Sequence, residues 1–105
     1  MGNYIGTNAA GTGSLANGNI GVELNEAPNN TVGGTTPEAR NVLSGNNGAG
    51  LFLTGAATAG SHIEGNYIGT NAAGTGSIPN RKMGIGIGPS PGAYGARNNT
   101  IGGTT

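Results

Sequence analysis

"GVELNEAP" places Glu23 and Glu26 three residues apart, and "SHIEG" places His62 and Glu64 two apart. Acid–base chemistry is worth considering at both. Glycoside hydrolysis needs two carboxyl groups about 5–10 Å apart, and Glu23 and Glu26 lie near enough in sequence to approach each other. On a strand, His62 and Glu64 leave by the same face. A carboxylate beside an imidazole can then orient it as an acid or base. Neither constellation is complete. The chain has one His and no Cys, and no serine completes a nucleophilic set. An exposed His–Glu pair is ordinarily a surface ion pair worth less than about 1 kcal/mol. Calcium asks for several oxygen ligands, usually carboxylates, whereas the four acidic residues are scattered and all are Glu. The reading is no catalytic residue, no metal site and no cofactor.

Contact residues are the remaining functional candidates. Tyr4 and Tyr67 stand beside Thr and Asn residues and could make a shallow sugar-binding face together with His62 and Glu64. A solvated strand face is the plainer account of them. Phe52 is the only Phe. Its parity points it outward, so it is expected either under the longer loop at 89–97, with Tyr94, or at a subunit contact.

The elements that position these residues are unusual. The 105 residues include 24 Gly and 5 Pro, with 33% hydrophobic and 8% charged residues and a net charge of +0. Low hydrophobicity without high charge is not the pattern of a disordered chain. Arg40, Arg81, Lys82 and Arg97 are dispersed, which gives nucleic-acid binding no basic patch. No run of about 18 apolar residues is present to span a membrane as a helix. No charged segment leads into an apolar one as in a signal peptide. Met1 sits directly on the repeat described next, as in a segment trimmed from a longer parent.

"GNYIGTNAAGTGS" occupies residues 2–14 and returns unchanged at 65–77, while "NNTVGGTT" (29–36) returns as "NNTIGGTT" (98–105). The middle of the chain follows the same order with weaker identity. "NYIGT", "NVLSG" and "NYIGT" align, as do "GVEL", "GLFL" and "GIGI", and "NTVGG", "SHIEG" and "NTIGG". The result is one module over 1–105, with coils of approximately 3–40, 41–65 and 66–105. Apolar residues alternate or stand singly, which is strand periodicity, and recurrent Gly disfavours helix. Strands this short are satisfied when equivalent segments of successive coils pair in parallel. The expectation is an all-β, right-handed parallel β-helix of about three coils with three short parallel sheets. Parity assigns the core to four columns: Ile5, Leu43 and Ile68; Val22, Leu51 and Ile85; Leu24, Leu53 and Ile87; Val32, Ile63 and Ile101. Asn3, Asn41 and Asn66 share the inward parity of the first column and are expected to form a corner ladder of amides.

The phrases "NVLSGN", "HIEGNYIGT" and "NNTVGGTT" resemble right-handed parallel β-helix repeats. They are similar to the pectate-lyase-like superfold and to repeat regions of large bacterial surface proteins, and the resemblance covers essentially the whole chain. The resemblance implies a parent that is secreted or on the cell surface. It also implies where activity would lie: pectate lyases hold calcium with Asp clusters, and polygalacturonases hydrolyse with Asp. This sequence has no Asp. The fold hosts enzymes, adhesins and stalks alike. The sequence therefore reads as a non-enzymatic structural module that forms homo-oligomers by stacking its open coil ends, with nucleic acid and membrane excluded as partners. The alternatives are a polysaccharide-binding face and an inactive fragment of a polysaccharide lyase or hydrolase.

Overall fold

The computed structural model describes residues 2–55, 57–88 and 99–102. Nine short strands follow one another: β1 (Tyr4–Ile5), β2 (Val22–Asn25), β3 (Thr31–Gly33), β4 (Val42–Leu43), β5 (Ala49–Thr54), β6 (His62–Glu64), β7 (Tyr67–Ile68), β8 (Met83–Gly88) and β9 (Thr100–Ile101). One 3-10 turn, Pro37–Ala39, links the first coil to the second, and no α-helix occurs among the described residues. The strands form three parallel sheets, ordered β1-β4-β7, β2-β5-β8 and β3-β6-β9. Each sheet therefore takes one strand from each coil, and the chain is an all-β parallel solenoid. Its shortest principal dimension is 16 Å, close to three layers spaced at about 4.8 Å plus their van der Waals thickness. Coil 1 is called the upper end below, and coil 3 the lower end.

The register follows the aliphatic alignments. Ile5 pairs with Leu43 and Leu43 with Ile68. Val22, Leu51 and Ile85 pair in order, as do Leu24, Leu53 and Ile87. Val32 pairs with Ile63 and Ile63 with Ile101. Burial is concentrated in the middle coil, where Leu43, Leu51 and Leu53 are fully buried and Ile63 nearly so. Each such side chain contributes roughly 1.5–3 kcal/mol by leaving water. Ile5, Val22, Leu24, Val32, Ile68 and Ile85 pack against that cluster half-buried.

Two expected core members depart from the reading. Ile87 is 53% exposed and Ile101 is 46% exposed. Both lie in the lowest coil, and each pairs upward with only one strand among the described residues. Inward parity needs a coil on both sides to become burial. The loop at 89–97, Tyr94 among it, lies outside the described residues.

Candidate functional site

The five contact candidates stand on three different sheets, so they do not form one face. Tyr4 and Tyr67 flank Val42 in the first sheet. The Arg40 guanidinium carbon lies 4.0 Å from the Tyr67 ring centroid, and its Nε donates to the Gly65 carbonyl at 3.1 Å. A cation over a partly exposed ring is worth about 0.5–1 kcal/mol. The ring edges are also in use. A Cβ on Gly11 would lie 3.0 Å from Tyr4 Cε2, and one on Gly74 would lie 2.8 Å from Tyr67 Cε2. Each tyrosine thus braces the glycine of its own repeated block.

His62 and Glu64 lie on β6 in the third sheet, with His62 exposed between Thr31 and Thr100. Phe52 lies in the second sheet opposite Gly86. Its ring covers the backbone there: a Cβ on Gly86 would come 2.5 Å from Phe52 Cδ1, and one on Gly88 would come 2.9 Å from Cζ. The glycine-rich β8 provides the seat for this half-buried ring. Glu26 is engaged structurally. Its Oε2 accepts from the Ala57 amide at 3.1 Å, and its own backbone is left-handed at φ 52°. Glu23 stands exposed on β2. No group of three or more potential metal ligands occurs among the described residues.

The polar chemistry instead sits in the corners. Asn3 N and Nδ2 donate to Asn41 Oδ1 at 3.0 and 3.1 Å. Asn41 N and Nδ2 donate to Asn66 Oδ1 at 3.1 and 3.2 Å. The ladder ends with Asn66 Nδ2 donating to the Val32 carbonyl at 2.9 Å. Two further columns were not anticipated. Asn17 Nδ2 donates to Asn46 Oδ1 at 2.8 Å, and Asn46 N and Nδ2 donate to Asn80 Oδ1, both at 3.0 Å. In the third corner Asn30 N donates to Ser61 Oγ and Ser61 N to Asn99 Oδ1, both at 3.0 Å. The sequence does carry a signal for both. Asn17, Asn46 and Asn80 each stand five residues before the Val22, Leu51 and Ile85 column, and Asn30, Ser61 and Asn99 each stand two before Val32, Ile63 and Ile101. Between members of each column the upper residue donates and the lower accepts, while Asn66, Asn46 and Asn80 also donate upward to the carbonyls of Val32, Ile5 and Leu43.

Comparison with protein families, with curated proteins and with solved structures gives no match to this chain. Its functional surface must therefore be sought in its own geometry.

That geometry points to the lower end. A pocket of about 180 Å³ opens there, lined by Ile63, Ile68, Ile85 and Ile101 with Glu64 and Asn66. Its aliphatic lining is the core of the solenoid seen end-on. In coil 1, a Cβ on Gly6 or Gly33 would run into the carbonyl oxygen of Ser44 or Glu64 in the coil beneath. Their counterparts in coil 3, Gly69 and Gly102, have no atom within 4 Å of the same position. Strands β7, β8 and β9 each pair on one side only among the described residues. The lower face thus combines apolar surface with unpaired strand edges. Such edges are ready-made pairing surfaces.

Proposed function

We propose that this chain is a non-catalytic structural module, a β-helical scaffold segment that associates with itself through its open coil ends. The observation that carries the reading is the lower end. There, half-exposed Ile101 lines an aliphatic pocket, Ile87 is half-exposed on the same coil, and three strand edges are paired on one side among the described residues. Burying such a face stabilises a coil stack in the same way as each internal coil interface. Placement in a secreted or cell-surface parent, and kinship with pectate-lyase-like or bacterial surface repeats, belong to the same proposal and rest on the coil motifs. The polysaccharide-binding reading is less favoured. Arg40 covers the Tyr67 ring, and the two tyrosines brace Gly11 and Gly74.

Sedimentation equilibrium across a wide concentration range tests this. The apparent mass is expected to rise from the 10.1 kDa monomer toward twice that value. A monomer at every concentration, combined with a cooperative melt, would overturn the reading. Any cleavage of pectin or alginate by the purified chain would overturn its non-catalytic part.

A further inference from the structure

The repeated block forms a side excursion that closes on itself. Leu15 N donates to Gly6 O at 2.9 Å at its base, and Thr7 bridges Ser14. Inside it, Thr12 N donates to Asn8 Oδ1 at 2.9 Å, Asn8 N to Gly13 O and Gly11 N to Asn8 O. The second copy repeats every one of these bonds. Thr75 N donates to Asn71 Oδ1 at 2.9 Å, Asn71 N to Gly76 O, Gly74 N to Asn71 O and Ile78 N to Gly69 O. Identical local structure gives the two excursions the same tilt. Coil 2 has none, because "SGNNGAG" runs straight from β4 to β5. Across that layer the two excursions touch: Ala72 N donates to Gly11 O at 2.8 Å, and a Cβ on Gly11 would lie 2.5 Å from Ala72 Cβ. Two excursions therefore fill the space of two coil spacings, and they cannot sit one spacing apart.

We infer that the lower face of coil 3 is a receptor for one kind of ligand: a coil without an excursion, of the type of residues 37–65, added in parallel register. This rests on the proposed role of the coil ends and specifies what they accept. The first wall of coil 3 repeats that of coil 1 letter for letter, and coil 1 already presents that face to residues 41–64. Donor polarity agrees. Asn3 and Asn17 donate downward to Asn41 Oδ1 and Asn46 Oδ1, and their counterparts Asn66 and Asn80 each have a second Nδ2 hydrogen for an incoming coil. Open space at Gly69 and Gly102 receives the carbonyls that Ser44 and Glu64 supply beneath coil 1. An intact second copy offers no such coil, since both of its end coils carry excursions. Head-to-tail growth of intact copies is thereby blocked.

The test titrates three labelled synthetic peptides onto the full chain, reading fluorescence anisotropy and sedimentation together. The first covers residues 37–65, the second residues 1–33, and the third residues 1–33 without 7–14, which removes the excursion. The 37–65 peptide is expected to bind saturably at one per chain and at least tenfold more tightly than 1–33. Deleting 7–14 is expected to recover most of that difference. Ile101→Lys, which charges an already exposed lower-face side chain, is expected to weaken 37–65 binding at least tenfold while the chain still melts cooperatively. Equal binding of 37–65 and 1–33 would overturn the inference, as would absence of binding by any peptide. The chain's own mass, measured alone in the same runs, separates the two readings. Self-association without selective peptide binding sinks the inference alone, and selective binding by a strictly monomeric chain sinks self-association alone.

Discussion

Gly6→Ala is expected to cost about 4 kcal/mol or more, enough to unfold a marginally stable chain, whereas Gly69→Ala should cost about 1–2 kcal/mol. The two residues occupy the same place in the same letters, "NYIGTN". Both have left-handed backbone, φ 93° and 86°, so both variants incur the ordinary penalty of an L-residue there, about 1–2 kcal/mol. The difference lies beneath them. A methyl group on Gly6 would overlap the Ser44 carbonyl and the Asn46 amide of the next coil, while one on Gly69 meets nothing within 4 Å. Relief at Gly6 requires two paired coils to separate. Urea unfolding of both variants, at a concentration where the chain is monomeric, checks this. Equal losses would mean that the layering of coils over Gly6 is wrong.

The second large effect belongs to Asn46, which is fully buried. Its side chain accepts from Asn17 Nδ2 at 2.8 Å and donates to Asn80 Oδ1 at 3.0 Å and to Ile5 O at 3.4 Å. Asn46→Ala strips a partner from three groups and leaves a gap in the corner. Each such bond contributes about 0.5–1.5 kcal/mol net, so the variant is expected to lose about 2–4 kcal/mol. For a chain near 100 residues that is a fall in melting temperature of roughly 10–25 °C. The neighbouring Asn47 is exposed, and Asn47→Ala should stay within about 0.5 kcal/mol of the parent. Paired thermal melts decide the matter. An Asn46→Ala melt within about 3 °C of the parent would show that the column adds little.

Strand columns and the first ladder were legible because their evidence is periodic. An aliphatic residue at fixed parity, preceded two residues earlier by Asn, recurs at Asn3, Asn41 and Asn66 and ends in an observed hydrogen-bonded ladder. The other two corners were harder to see for a chemical reason. Asn17, Asn46 and Asn80 sit among Gly and Asn, where turn formation already explains an Asn, and Ser61 breaks the residue type of the third column. Burial of Ile87 and Ile101 depends on what lies below them, which parity along one strand does not contain. Arg40 over Tyr67 joins residues far apart in sequence and has no local signature. The seat of Phe52 came from glycines in the opposite strand, a contact that exists only once the register is fixed. The five contact candidates share outward parity and are distributed over three sheets, as the strand alignments already implied.

The corner amides also bear on how a longer run of such coils would behave. In a column each amide dipole lies in line with the next, and hydrogen bonds arranged in series polarise one another. Asn41 and Asn46 are polarised from both sides, whereas the terminal members are polarised from one. Bond strength per amide therefore rises as a column lengthens. A three-layer stack is the short limit of that series, so its outer layers fray first and its middle layer holds its amide protons longest. An extended array would stiffen along its axis as a rod, with rigidity greatest at its centre and falling toward its two ends.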